Sequence, residues 1–261
     1  MSERFFINSH TRTLINRFTE PFSYLDHLNL QLKNRNHPKK ERTRYQLHAA
    51  VLKLADRENL EDILIDKIVQ EAGVSRGTFY QYYPKVIDLL LDAIQDFFMT
   101  IWANRPPNSL FLDAVSYIYV TRLYSARTFE ATPRAFFWYW YLSRRNTDLV
   151  AQRSDMAAQS TDLMISLLDQ EAVIDTDPAL LRAELRSAAL MWNEMQVSYF
   201  IENDPILHHS IPDVLALTEL SVIAWYRMIY SEQPCASKTK ISIDEDFALD
   251  LLRSQKAKDH P

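Results

Sequence analysis

The sequence predicts an all-α protein, and three observations lead to that prediction. Only two glycines, Gly73 and Gly77, occur among 261 residues. No Val-, Ile- or Thr-rich run alternates with polar residues as a half-buried strand does. Apolar residues recur instead at three- and four-residue intervals, which place them on one face of a helix. The clearest such stripe comprises Leu47, Ala50, Val51, Leu54 and Ala55.

Composition narrows the class of protein. Hydrophobic residues are 47% and charged residues 24%, an ordinary globular balance, and the length permits one or two domains. A single cysteine excludes an internal disulfide and a cysteine-based zinc site. No apolar run has the length of a membrane span, and the first residues lack the apolar core of a signal peptide. We therefore expect a cytoplasmic protein with no membrane partner.

No catalytic or metal-binding pattern stands out in the sequence. Both glycines lie in one turn region, so no glycine-rich phosphate loop exists. His208 and His209 are adjacent, whereas a metal-binding pair on a helix needs a spacing such as i, i+4. We expect no enzyme activity, no cofactor and no metal.

The charge is divided unevenly along the chain. The formal net charge is −5, yet residues 1–85 hold 14 Lys and Arg against 10 Asp and Glu, a net of +4. The remaining 15 basic and 24 acidic residues give residues 86–261 a net of −9. Positive charge therefore accompanies the first third of the chain, as attraction to a nucleic acid requires.

Residues 1–38 form an N-terminal extension with two open interpretations. Leu14, Ile15 and Phe18 make an apolar patch, Pro21 suits a helix start, and residues 34–38 form a break. The extension either packs on a partner subunit or on DNA, or it covers its own domain. We favour the interpretation that the extension covers its own domain. The basic residues available for the first are Arg12, Arg17, Lys33 and Arg35.

Residues 39–57 are predicted to be the first helix of a domain that spans 39–90. Arg44 lies in a group of basic residues at the start of this helix, where the helix dipole disfavours positive charge. A nearby phosphate would explain that placement, as would simple solvation. The other members of the group are Lys39, Lys40 and Arg42.

A tight turn follows a second helix, predicted over 64–72. Gly73 can adopt the left-handed conformation that ends a helix. Ser75 can then cap a third helix, because its hydroxyl accepts from the exposed N–H groups of the first turn. Two helices joined by a short turn that contains glycine make the helix-turn-helix pattern.

The third helix, over about 75–83, has the residue types of a recognition helix. Arg76 can reach guanine, and Thr78 can contact a base edge or a thymine methyl group. Gly77 lets the backbone come close. Tyr80 and Tyr82 can donate hydrogen bonds to phosphates. Phe79 is predicted to be buried against Ile68 and Val69; the alternative is a helical hairpin with a tyrosine-rich exposed face.

The stretch from Arg44 to Ile94 resembles the DNA-binding domain of TetR-type transcriptional regulators. The matching pieces are AAVLKLA from Ala49, Ile68 with EAGVS from Glu71, GTFY from Gly77, Tyr82-Tyr83, and DLL from Asp88. The resemblance implies that Arg76, Gly77 and Thr78 face bases and that Tyr80 and Tyr82 meet phosphates. Ser75, Lys85 and Arg44 complete the predicted DNA-binding set.

Two positions depart from the family pattern. The family often has Thr near the start of the second helix, where this chain has Leu64. It usually has Lys at the position of Val86, whereas here the lysine is one place earlier, at Lys85. These departures keep open an alternative function: a helical interaction protein whose helix-turn-helix no longer binds DNA.

The resemblance also implies a helical ligand-binding and dimerisation domain over 91–231, joined to the first by a helix at 84–104. Residues 232–261 are predicted to be a loop and a short helix. The other helices are predicted at 109–125, 132–145, 147–170, 178–203 and 211–231.

Aromatic residues are dense in this second domain. They suit an apolar pocket with a few polar tips, and we expect an apolar or aromatic small-molecule effector; the alternative is that the rings are simply the core. The predicted ligand-binding residues are Trp102, Tyr117, Phe137, Trp138, Tyr141, Trp192, Met195 and Tyr199.

The helices at 178–203 and 211–231 are predicted to form the dimer interface, since the family's matching helices make a bundle between two subunits. The predicted stripe on the first runs from Leu181 to Trp192, and that on the second from Leu215 to Tyr226. The alternative is burial within one subunit. The resemblance implies a homodimeric repressor that binds a palindromic double-stranded operator until ligand moves helix 84–104.

Overall fold

The computed structural model describes residues 5–34, 36–59, 62–170, 177–230, 232, 234 and 239–259. Over these residues the chain forms helices and isolated β-bridges and no strand, which confirms the predicted all-α class. In chain order the helices are α1 (Ser9–Phe18), α2 (Tyr24–Lys33), α3 (Lys39–Arg57), α4 (Ile65–Ala72), α5 (Arg76–Tyr82), α6 (Val86–Ala103), α7 (Ala114–Ala131), α8 (Pro133–Ser143), α9 (Thr147–Gln170), α10 (Pro178–Phe200), α11 (Pro205–Ser210), α12 (Val214–Tyr230) and α13 (Glu245–Asp259).

One compact unit, the headpiece, comprises Phe22–Asn104 and Ala131–Ala151. Helix α3 is central to it and packs against α2, α4, α6 and α8. The apolar stripe predicted from Leu47 to Ala55 is buried throughout. Burial of that stripe drives the packing, because a lone helix of this length is only marginally stable in water.

Side chains of helix α8 donate hydrogen bonds to carbonyl groups at the C-terminal end of α3. The last carbonyls of a helix have no partner within it. Here Nε of Arg134 donates to the carbonyl of Asp56 at 3.1 Å, and Nε1 of Trp138 donates to the carbonyl of Ala55 at 3.3 Å. The sequence placed residues 132–145 in the ligand-binding segment, whereas their packing puts α8 in the headpiece.

The second compact unit, the body, comprises Met1–Pro21, Arg105–Glu130 and Gln152–Pro261. Within it α10 packs against α11 and α12, and α1 packs against α13. The N-terminal extension is therefore shared, with α1 in the body and α2 in the headpiece. Arg35, one of its candidate basic residues, lies outside the described residues. The main core of the body includes Leu110, Val120, Leu168, Val222 and Trp225.

Several predicted boundaries differ from the structure. Helix α2 begins at Tyr24 rather than near Pro21, because Ser23 Oγ accepts from the Asp26 N–H at 3.2 Å. The helix predicted at 109–125 begins at Ala114, after a 3-10 turn, and continues to Ala131. The last two long helices are separated by α11, which the sequence pattern did not predict.

The apolar stripe predicted for the dimer interface on α10 faces the protein interior. Leu181, Leu185, Ala188 and Trp192 are all buried within the described part of a single chain. On α12, Leu217, Ile223 and Tyr226 are buried as well. These side chains fill the body core, so the alternative of burial within one subunit is correct for them. No helix in the described ranges combines the length and apolarity needed to cross a membrane.

Candidate nucleic-acid interface

The turn between α4 and α5 has the geometry that the sequence predicts. Gly73 has φ of 67°, in the left-handed region. Its N–H donates to the carbonyl of Gln70 at 3.3 Å, and the N–H of Val74 donates to that of Val69 at 3.0 Å. This pair of bonds is the Schellman motif, which satisfies the last carbonyls of α4.

Ser75 caps α5 at once after that turn. Its Oγ accepts from the N–H of Thr78 at 3.0 Å, and the two side-chain hydroxyls lie 2.8 Å apart. A serine cap of this kind contributes about 1 kcal/mol to the helix. The contribution matters because α5 has only seven residues and cannot persist alone.

The inner face of α5 fixes its orientation. Phe79 is fully buried, as is Ile68 on α4, and Tyr83 at the end of α5 is buried too. Phe79 and Tyr83 are four residues apart, one turn of helix, so they lie on the same side. The predicted burial of Phe79 is confirmed.

Tyr83 joins α5 to α3 and α6 through Asp92. The Tyr83 hydroxyl donates to the Asp92 carboxylate at 2.5 Å, and Nε2 of the fully buried His48 lies 2.9 Å from it. Arg44 donates to both Asp92 oxygens, at 2.8 and 2.7 Å. Burial alone would raise the pKa of Asp92, but these hydrogen bonds outweigh it and hold the pKa well below its usual range.

The same network reaches the N-terminal extension. The Tyr24 hydroxyl on α2 donates to Asp96, which lies one turn along α6 from Asp92. Burial, and then the Asp96 charge, raise the pKa of Tyr24 above its usual value. Arg44 lies 3.6 Å from Asp96 as well. The guanidinium predicted to contact DNA is thus held in an internal ion pair with α6.

The outer face of α5 carries the remaining predicted contacts. Arg76 is exposed and lies 3.2 Å from Asp66 of α4, an exposed pair that contributes little to stability. Tyr80 is 51% exposed. Thr78 and Tyr82 are half-buried, and Gly77 and Lys85 are exposed. The structure therefore places six of the predicted contacts, Arg76 to Lys85, on or beside one short helix.

The fold of the chain does not require glycine at position 77. Its φ is not in the left-handed region. A Cβ added there would approach only Ser75 Oγ, at 3.8 Å, which is an ordinary contact. Glycine within a helix is less stable than alanine by about 0.5–1 kcal/mol. The glycine therefore keeps the surface of α5 flat at the cost of helix stability.

Leu64, which stands where the resembled family often has threonine, does not cap its helix. It occupies the N-cap of α4, and no side chain there accepts a hydrogen bond from the first turn. Its side chain is exposed. A threonine at this position would cap the helix and present a hydroxyl; leucine does neither.

The predicted ligand-binding residues fall into both compact units. Trp102, Phe137, Trp138 and Tyr141 belong to the headpiece, and the other four belong to the body. Trp138 is held by its hydrogen bond to the carbonyl of Ala55. In the body, the Tyr199 hydroxyl donates to the carbonyl of Ile211 at 3.3 Å.

His208 has a structural neighbour in the body. Its ring stacks on that of Tyr199 with centroids 4.3 Å apart, and its Nε2 lies 2.8 Å from the Tyr199 carbonyl oxygen. Among the described residues, no three His, Cys, Asp or Glu side chains are grouped as a metal site requires.

Together these features define a helix-turn-helix protein of the all-α class. Its fold is that of TetR-family transcriptional regulators of solved structure. One, from Streptomyces coelicolor, is 19% identical with a TM-score of 0.58 over 72% of this chain and 80% of the other. A putative TetR-family regulator from Syntrophomonas wolfei is 15% identical with a TM-score of 0.55 over 73% and 96%. No protein-family model and no curated protein matches the sequence.

Proposed function

We propose that this protein is a DNA-binding transcriptional regulator and that α5 is its recognition helix. The observation that supports this proposal most is the division of α5 into two faces. Phe79 and Tyr83 hold one face in the headpiece, while Arg76, Gly77 and Tyr80 leave the other open. A recognition helix presents its N-terminal residues to base edges in the major groove.

Basic residues on α3 supply further positive charge in the same headpiece. Lys39, Lys40 and Arg42 are exposed, and none forms an ion pair with another described residue. Arg44 is excluded from this set by its pairing with Asp92. Phosphate contacts by such residues give affinity that falls steeply as salt increases.

The protein is proposed to act as a homodimer through the outward faces of α10 and α12. Leu190 and Met191 are half exposed on α10, and Leu220 is 41% exposed on α12. The two helices pack against each other in the body, so these side chains belong to one helical pair. A two-fold dimer would present two recognition helices to a palindromic operator.

Ligand response is proposed to act through α6. Asp92 on this helix holds Tyr83 at the end of α5 and Arg44 on α3. A shift of α6 would therefore carry α5 with it, because Tyr83 and Arg44 are both bonded to the Asp92 carboxylate. An effector that binds the shifted arrangement more tightly would release the operator, as in a repressor.

The test is selection of bound duplexes from a random DNA pool by the purified full chain, across a salt series. Enrichment of a palindrome, with affinity that falls steeply in salt, is the expected result. Thr78→Ala should weaken binding, whereas Arg253→Ala, at an exposed site on α13, should not. Absence of enrichment at low salt, also after ligand is stripped by unfolding and refolding, would favour the interaction-protein alternative.

A further inference from the structure

Arg122 is a buried cation with no acidic partner among the described residues. It lies within α7 and is only 5% exposed. Its guanidinium forms no hydrogen bond or ion pair in the described chain. It contacts the ring of Trp192 on α10, where Cζ lies 5.5 Å from the ring centroid. Arg127, five residues further along α7, does have hydrogen-bond partners.

Arg127 has the partners that a half-buried arginine usually has. It donates to Thr19 Oγ1 at 2.5 Å and to Asn16 Oδ1 at 3.1 Å. The comparison within one helix shows that the position of Arg122 is unusual. Buried charges in proteins are normally paired, because an unpaired one loses its hydration without compensation.

Arg122 stays charged despite its burial. Burial lowers its pKa to about 9, which still leaves the guanidinium protonated at neutral pH. No carboxylate offsets the effect of burial. The interior of the body therefore holds a positive charge that the described residues do not neutralise.

A second donor without a partner lies along the same contact between α7 and α10. Gln196 is 1% exposed, and its Oε1 accepts from Ser125 Oγ at 2.9 Å. Its Nε2 has no hydrogen-bond partner among the residues that the structure describes. Ser125 follows Arg122 by about one turn of α7, and Gln196 follows Trp192 by one turn of α10. The Arg122–Trp192 contact and the Ser125–Gln196 hydrogen bond therefore lie about one turn apart along the two helices.

A cluster of buried apolar side chains includes Trp192, the ring that Arg122 contacts. Ala126, Trp192 and Leu217 belong to one buried cluster in this part of the body. Two donors within an apolar wall are the arrangement that binds a molecule with one anionic end and an apolar remainder. One guanidinium and one neutral amide match the charge of a monocarboxylate, and the planar guanidinium can bind its two oxygens together.

We propose that the effector of this protein is a small apolar monocarboxylate, whose carboxylate binds to Arg122 and Gln196 and whose apolar part packs on Trp192. The assignment of this ligand as the effector rests on the proposed regulatory function. The proposed binding site does not depend on that function, because Arg122, Gln196 and Trp192 all belong to the body and their binding of a carboxylate can be measured without DNA.

The experiment uses the full chain with benzoate and hexanoate as probes, each beside its neutral amide, at millimolar concentration. Thermal unfolding and calorimetric titration measure binding without DNA. Both carboxylates should raise the melting temperature of the natural protein, and the amides should not. Arg122→Met should lower carboxylate affinity at least about tenfold. Without ligand, Arg122→Met should melt at the same temperature or higher, because an unpaired buried charge is removed.

Arg127→Met is the matched control. It should lower the melting temperature without ligand, since it removes hydrogen bonds to Thr19 and Asn16, and it should keep carboxylate binding. The proposal is overturned if neither carboxylate binds, if the amides bind equally, or if Arg122→Met binds carboxylate as the natural protein does. DNA binding is measured separately. If carboxylate binds but no operator is selected, the binding site is supported and its regulatory role is refuted.

Discussion

Gly77→Ala separates the stability of α5 from its contact with DNA. The substitution adds one methyl group to the exposed face of the helix. Within the chain that methyl would meet only Ser75 Oγ, at 3.8 Å. No backbone strain opposes it, because the φ of Gly77 is not in the left-handed region. The folded chain therefore accepts alanine, while a surface in close contact with α5 would not.

The two expected effects have opposite signs. Alanine should stabilise the fold by about 0.5 kcal/mol, at the lower end of the glycine-to-alanine range because Gly77 lies in the first turn. That gain corresponds to about 1–2 °C in melting temperature for a chain of this size. If α5 lies in the major groove, loss of close approach should cost about 1–3 kcal/mol in binding, which is a loss of affinity of about 5- to 150-fold.

The assay is fluorescence anisotropy with the selected operator, beside differential scanning calorimetry. Gly73→Ala is the control at the other glycine, where φ of 67° strains alanine. It should lower the melting temperature by several degrees. A Gly77→Ala protein that is more stable and binds the operator with unchanged affinity would refute the assignment of α5 as the recognition helix.

Three further predictions test the headpiece and the dimer. Asp92→Asn should lower the free energy of unfolding at neutral pH by about 2 kcal/mol, because it weakens the four hydrogen bonds that three side chains make to the carboxylate. The folded pKa of Asp92 is depressed, so its contribution is present above the ordinary value of 3.8 and lost as pH falls through the folded pKa; urea unfolding over that range should show a shallower acid loss in the variant. Leu190→Glu should convert dimers to monomers in analytical ultracentrifugation, whereas Leu30→Glu, at another exposed leucine on α2, should not; dimers of both variants would place the interface elsewhere. Tyr80→Phe should weaken binding a few-fold across all sequences, since a phosphate contact carries no sequence information, and Thr78→Ala should change the selected sequence; the opposite pattern would reverse their assigned roles.

Local chemistry explains why the helix-turn-helix was predictable from sequence. A left-handed glycine, a serine cap and the burial of Phe79 each depend on residues a few positions apart. The bounds of α3 follow for the same reason, since its apolar stripe and the break at residues 34–38 are read directly from spacing. Such features need no knowledge of which distant segment packs against them.

Features that depend on distant partners were not predictable. Arg44 belongs to the same basic group as the exposed Lys39 and Arg42, and only the folded chain brings it to Asp92, 48 positions away. The stripe from Leu181 to Trp192 has the same spacing whether it faces a core or a second subunit. Arg122 carried one available signal, an arginine within the aromatic run of α7, but its lack of a partner is visible only in the structure.

The headpiece shows how a buried polar network can orient the short helix α5, the proposed recognition helix. Phe79 gives α5 burial, but an apolar contact is non-directional and permits rotation about the helix axis. The Tyr83 hydroxyl bond to Asp92 is directional, and it fixes the angle at which Arg76 and Tyr80 face outward. Because Asp92 lies on α6, the same bond that orients α5 makes its orientation depend on α6. In the proposed function, precision in reading DNA and sensitivity to a shift of α6 would then have one physical origin.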